Sequence, residues 1–403
     1  MNSPKKKPFA DFGPYSHWNW QAQLEKGLLN SAVEIELFSD ACFRSTEIEH
    51  GPYVVINAEP FPPIEPRQSM HGRLILRCEH YLDPNQDPTI RPLNTDTSKS
   101  RTDTSRYHGG TLRDEIAALY SLCMGVRLKA GGVVRKFSQG NEYGKPRIPR
   151  PDETPIFFPP HDGRYVLPFH PAEHKLEAIQ EQMNLYILLQ PQQASILIRS
   201  ARLYQDAVWL AESDPEISWL LLVSAIEVAA AHWYAEKNPD VEKQLEQLKP
   251  ELFRDLSGLE SDGSKAIEIV SQHLESLLGA TEKFRQFLVK FRPQEPLPDR
   301  PIWWQVDWSE SSLEKVFKKI YSYRSKASHG GTPFPKPMCS PPTRDHQNQM
   351  LAERPDVGLA EASLGASWKA EDVPIHLHTF EYIVRNSLLS WWRSMVEIQS
   401  HQG

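Results

Sequence analysis

The chain reads as an α+β protein, with a mixed α/β domain at its N-terminal end and an all-α helical bundle after it. Three observations predict this. Short runs with strand character lie before residue 80: Val33-Glu34-Ile35-Glu36-Leu37-Phe38, Tyr53-Val54-Val55-Ile56 and Leu74-Ile75-Leu76. Helical periodicity dominates from residue 172 onward. Between them, Pro146 to Pro171 holds eight prolines in 26 residues. The expected layout is a flexible arm over 1–20, a mixed α/β domain over 21–145, a proline-rich linker over 146–171 and a helical domain over 172–403.

In order, the arm carries Lys5-Lys6-Lys7, read as a solubilising tail. The first strand run alternates apolar and acidic residues with period two, the pattern of a half-buried strand. Asp83 to Ser105 is polar and rich in Thr, Asp, Asn and Pro, which predicts a loop. A helix opens at Thr111, where Thr111 and Asp114 have capping-box spacing. Leu112, Ile116, Leu119, Cys123 and Val126 form its apolar stripe, and Gly131-Gly132 is expected to end the region. The prolines of 146–171 exclude a helix or a central strand there.

In the helical domain, His174–Leu189 has helical pattern, Pro191 interrupts it, and Ala194–Glu212 resumes. Asp214-Pro215 pairs an N-cap with proline at the first helical position, which predicts a helix over 216–236. Further helices fit Lys265–Leu278, Thr281–Phe291 with Thr281 as N-cap, Ser311–His329, and Ile375–Val396. Proline clusters at 293–301 and 333–342 punctuate them, and no internal repeat is found.

Composition narrows the function classes. A net charge of -7 over 403 residues excludes a strongly basic nucleic-acid coat but leaves room for a local basic groove. Cys42, Cys78, Cys123 and Cys339 are widely spaced, with neither a disulfide framework nor zinc-finger spacing. Trp219 to Ala231 is apolar for only 13 residues and contains Ser224 and Glu227. A bilayer span needs roughly 20 such residues, so a buried core helix is expected. No apolar segment of the secretory type follows Lys5-Lys6-Lys7. The expectation is a soluble, reduced, cytoplasmic protein with no membrane partner. Nucleotide P-loop, dinucleotide, zinc-protease and serine-hydrolase motifs are missing from the sequence, and no cofactor or metal is expected.

The sharpest feature is Tyr321-Ser322-Tyr323-Arg324-Ser325-Lys326-Ala327-Ser328-His329-Gly330-Gly331, closing the helix that begins near Ser311. Leu313, Phe317, Ile320, Arg324 and Ala327 share one face at steps of three or four. Arg324 therefore continues an apolar stripe, and a guanidinium turned inward calls for a partner. Gly330 stands where a left-handed residue ends a helix, which puts His329 at the last turn, where the dipole favours a cation. These two residue types suit RNA cleavage without metal. Histidine moves the 2′-hydroxyl or leaving-group proton, and arginine holds the phosphate as charge builds. Spacing alone is weak, since similar pairs recur at Arg44/His50, Arg73/His80, Arg101/His108 and Arg164/His170. The helix, its faces and the Gly-Gly carry the signal.

That context resembles the HEPN superfamily, whose ribonucleases carry an arginine and a histidine with four to six residues between them at a helix end. The wider chain, over 110–400, resembles its Apea-like branch. The supporting stretches are Trp219–Glu227, Leu278–Phe284, Arg324–Pro335 and His378–Ile383, with Asp114–Leu119 and Val126–Gly132. The resemblance implies a helical bundle, a homodimer joining two motifs across one cleft, and RNA degradation in toxin or anti-phage defence. It marks Arg324 and His329 as catalytic, with Glu227 as an acidic neighbour that orients them. Many HEPN nucleases place Asn, Asp or His after the arginine; Ser325 stands there instead and still offers a hydrogen bond. Lys326 joins the candidate substrate contacts. So does a basic stretch of Arg127, Lys129, Arg135, Lys136, Lys145, Arg147 and Arg150, interleaved with Phe137 and Tyr143. Of these, Arg135, Lys136, Arg147 and Arg150 are the leading RNA contacts. His232, His376 and His378 read as structural, since no ligand set accompanies them. The alternative function is a non-catalytic HEPN module binding RNA, a nucleotide or a protein.

Overall fold

The computed structural model describes residues 13–45, 47–58, 71–82, 107–160, 162–236, 241–259, 262–274, 279–296, 300–347, 349–358, 360–363 and 365–400. Lys5-Lys6-Lys7 and the loop expected over Asp83–Ser105 lie outside them.

Helix α1 (Tyr15–Leu24) comes first and corrects the expected arm, because Tyr15 to Trp20 are all buried. Its N-cap, Pro14, offers no side-chain acceptor. The carboxylate of Glu115 takes that role, accepting from the backbone N–H groups of Tyr15 (3.1 Å) and Ser16 (2.7 Å). Strands β1 (Ser31–Ser39), β2 (Cys42–Arg44), β3 (Glu47–His50), β4 (Tyr53–Asn57) and β5 (His71–His80) follow. Then come α2 (Leu112–Met124), β6 (Lys129–Ser138) and β7 (Lys145–Pro146). Six of these strands form one antiparallel sheet in the order β3-β4-β5-β1-β6-β7. The period-two reading of β1 holds: Ile35 and Leu37 are buried while Glu34 and Glu36 are only partly so. The register Ile35↔Leu76↔Val55 carries the buried row across the sheet.

Helix α2 begins as expected, with the Asp114 carboxylate accepting from the Thr111 N–H at 2.8 Å. It ends earlier than expected, at Gly125 with φ 68°. Gly131 and Gly132 lie instead within β6, where two close approaches require them. A Cβ on Gly131 would stand 2.4 Å from the Phe38 ring, and one on Gly132 2.7 Å from a Glu153 carboxylate oxygen.

The proline-rich segment contains one edge strand and a 3-10 turn at Pro151–Glu153, but it is no free linker. Trp209 Nε1 donates to the Ile156 carbonyl at 2.9 Å, and the N–H groups of Val166 and Leu167 donate to Glu212. Past it, β8 (Glu173–Lys175) pairs in parallel with β2, and α3 (Glu177–Tyr186) and α4 (Pro191–Leu210) follow. Pro191 opens α4 at the first helical position. Asp214 caps α5 (Pro215–Glu236), accepting from the Ile217 N–H at 3.0 Å. Next are α6 (Val241–Leu248), α7 (Pro250–Ser257), α8 (Gly263–Leu274) and α9 (Ala280–Lys290). The N-cap of α9 is Gly279 at φ 80°, not Thr281. Helix α10 (Glu310–Gly330) runs one residue past the expected end, so Gly331 rather than Gly330 takes the left-handed position, φ 63°. A hairpin of β9 (Ala360–Ser363) and β10 (Ala366–Lys369) precedes α11 (Leu377–Ser400). The C-terminal part is therefore not all helix.

The sheet and the helices other than α6 to α8 share one continuous core, while α6 to α8 pack on a small cluster of their own around Leu245 and Ile267. Trp219 of α5 stacks between Phe334 (5.2 Å) and Phe380 (4.8 Å). Among the described residues α5 is the one helix long and apolar enough to cross a membrane, and it packs here against α4, α9, α10 and α11. Arg385 of α11 donates to the Leu122 carbonyl (2.9 Å) and to that of Cys123, closing the C-terminal end of α2.

Buried histidines make the fold acid-sensitive. Burial pushes His17 down to about 4, and His50 and His376 down to about 3. In the unfolded chain each titrates near ~6.5, so unfolding takes up protons once the pH falls below that value. Their contribution is complete above ~pH 6.5 and is lost as the pH drops toward about 4 for His17 and about 3 for His50 and His376. The urea midpoint should fall clearly between about pH 7.5 and about pH 5; equal midpoints would contradict the assignment.

Candidate functional site

Helix α10 sets the site. Leu313, Phe317 and Ile320 are fully packed, and the same face continues to Arg324. Arg324 Nη2 donates to Glu227 Oε2 at 2.8 Å, and Tyr321 Oη donates to Glu227 Oε1 at 2.9 Å. Glu227 reaches them from α5, the most apolar helix of the bundle. The pairing expected from two charged residues on apolar stripes is therefore present. Tyr321 is the member that sequence reasoning missed. Burial, and then the Glu227 carboxylate beside it, push its hydroxyl up to about 12, so it stays protonated and remains a donor. Phe284 of α9 packs its ring 5.2 Å from that of Tyr321. Glu227 thus has both oxygens fixed, and Arg324 is held by a carboxylate whose rotamer is itself held.

Arg324 is not sealed in. Its side chain is 25% exposed and that of Glu227 23%. One of its N–H groups serves Glu227, which leaves others for an anion. His329 lies exposed in the last turn of α10 and makes no hydrogen bond or ion pair among the described residues. Ser325 is half-buried; Lys326 is exposed, its ammonium 5.6 Å over the Tyr323 ring. Five helical steps separate Arg324 and His329 by about 7.5 Å along the axis and about 140° around it. On one α10 the two side chains therefore leave the helix in diverging directions.

The surroundings are mixed in charge. A cavity of about 180 Å³ adjoins the end of α10, lined by Ala327, Gly331, Ile217 and Leu220 and by the acids Asp214 and Glu216. It disfavours a phosphate. The basic stretch lies elsewhere, on β6, β7 and the proline-rich segment, whereas α10 packs on α5 and α9. Much of its charge is paired: Arg135 with Glu34 (3.3 Å), Arg147 with Glu153 (3.1 Å), Arg150 with Asp152 (3.4 Å) and Lys129 with Asp206 (2.9 Å). Lys136 is exposed and sits opposite Lys145.

Arg127 leaves the candidate strip altogether, because its side chain is 0% exposed. It binds Asp40 (2.7 Å), Glu212 and the Val208 carbonyl (2.9 Å), with the Phe157 and Tyr165 rings against its guanidinium. His376 and His378 stack at 5.8 Å, and His378 Nε2 meets the Ala352 carbonyl at 2.8 Å. His232 pairs with Glu236 at 3.2 Å. Among the described residues no three His, Cys, Asp or Glu side chains are grouped to hold a metal. No protein family, curated protein or solved structure was found to match the chain.

Proposed function

We propose that the protein is an HEPN-type endoribonuclease that cuts RNA without a metal, in the cytoplasm, in a toxin or anti-phage role. The observation that carries this reading is the Glu227-held, part-exposed Arg324 five residues ahead of an exposed His329 at the end of α10. In the reaction, His329 takes the proton of a 2′-hydroxyl as that oxygen attacks the adjacent phosphorus. The P–O5′ bond breaks, a proton goes to the leaving 5′-oxygen, and a 2′,3′-cyclic phosphate remains. Arg324 stabilises the charge gathering on the phosphate oxygens. Because Arg324 and His329 diverge on one helix, a homodimer through the helical bundle would supply the arginine of one copy and the histidine of the other.

The test is incubation of purified protein with mixed RNAs in EDTA. The expected outcome is cleavage with 2′,3′-cyclic phosphate ends. Strict dependence on added Mg²⁺ or Mn²⁺ would overturn the mechanism. A second reading, a non-catalytic module that binds RNA, a nucleotide or a protein, is favoured by the acidic cavity beside α10 and by the ion pairing of the basic strip. RNA bound but left intact under all these conditions would select it.

A further inference from the structure

A second cavity, of about 220 Å³, opens at one end of the sheet, far in sequence from α10. Its walls include Leu29, Ala32, Arg77, Phe137, Asn141 and Glu142. Arg77 on β5 and Phe137 on β6 flank β1, where Glu34 faces Arg77 and Ala32 faces Phe137. Arg77 therefore reaches diagonally over β1, and its guanidinium carbon sits 4.6 Å from the Phe137 ring centroid. Gly144, at φ 64°, also approaches that ring, and a Cβ there would stand 2.7 Å from it. The ring has close neighbours on the sheet, and the Arg77 guanidinium carbon stands over it.

Arg77 keeps most of its capacity unspent. Its ion-pair contact with Glu79 is long, 3.9 Å, and its side chain is 35% exposed. No hydrogen bond from its side chain, or from those of Asn141 and Glu142, is found among the described residues. The floor is apolar: Ala32 is 2% exposed, with Leu29 beside it. A part-exposed guanidinium, an apolar floor and an amide and a carboxylate at the rim match one ligand chemistry. Planar heteroaromatic rings stack on guanidinium planes, while carboxylates and amides pair with ring-edge amines and carbonyls. The volume is below the roughly 300 Å³ at which drug-sized pockets begin, enough for one base. Glu142 at the rim argues against a site built for a bare anion.

We propose that this cavity is a nucleobase subsite, in which a base stacks on Arg77 and is read at its edge by Glu142 and Asn141. The base comes from a free mononucleotide or from an unpaired residue of RNA; the RNA source rests on the proposed ribonuclease reading and the mononucleotide source does not. The experiment is calorimetric titration of the full-length chain with AMP, CMP, GMP and UMP, and with ribose 5-phosphate as a control lacking the base. A parallel arm uses an unstructured RNA oligonucleotide on the His329→Ala protein. The expected result is saturable binding in at least one arm, no binding of ribose 5-phosphate, and at least a tenfold loss in Arg77→Ala. Arg77→Lys, which keeps the charge but loses the plane, should lose nearly as much. Glu142→Gln should reorder the preference among bases, and being a surface change it serves even if Arg77→Ala does not fold. Binding by mononucleotides with Arg77 dependence, in a protein that cuts no RNA, would leave this subsite standing and sink the ribonuclease. Equal binding of ribose 5-phosphate, affinities indifferent to Arg77 and Glu142, or no binding in either arm would overturn the subsite.

Discussion

His329→Ala should abolish RNA cleavage while the protein melts within a few degrees of wild type. The two halves of this expectation have separate grounds. Removing a general acid or base lowers a rate by roughly 10²–10⁴. His329 is exposed in the last turn of α10 and contacts no packed core, so its truncation opens no cavity. Cleavage assays and thermal melts on the same preparation check both. Wild-type cleavage by the variant would remove His329 from the chemistry, and an unfolded variant would make it a structural residue. Arg324→Ala acts on stability as well, because it strips Glu227 of its cationic partner and leaves only Tyr321.

The largest loss of stability is expected from Arg127→Ala. The guanidinium is buried between Asp40 and Glu212 and also serves the Val208 carbonyl. Without it two carboxylates remain in the core, and breaking one buried pair already costs about 3–5 kcal/mol. Urea unfolding measures the loss. A change below ~1 kcal/mol would mean that water or a neighbour reaches the two acids.

Arg127 also marks a limit of the sequence. It reads as the first member of a basic stretch because its neighbours in the chain are basic. Its neutralising partners lie 87 and 85 residues away. Helix α1 was illegible for the same reason, since its N-terminal N–H groups are satisfied from α2 rather than by a local cap. Strand β2 needs β8, which no local pattern announces. Gly131 and Gly132 look like a helix stop, yet their role is to let Phe38, Pro149 and Glu153 approach β6. Some local signals do read correctly. Asp214-Pro215 starts a helix because both residues act within one turn. Glu227 and Arg324 stand out because a charge on an apolar stripe needs a partner. Tyr321, one turn before Arg324, was hidden because a tyrosine on that stripe looks like ordinary core.

The strapped proline-rich segment and the β2–β8 pair bear on how the chain matures. A ribosome releases the N-terminal sheet first, but β2 must wait for β8, about 130 residues later in the sequence. The C-terminal end of α2 stays open until Arg385 of α11 arrives, about 260 residues later in the sequence. Long-range closures of this kind come late in folding and leave early segments incomplete. A nascent chain therefore carries the Arg324 helix into solution before the scaffold around it is finished. On the proposed ribonuclease reading, completion of the fold acts as a timer, withholding a working nuclease until α11 has been made and has docked on α2.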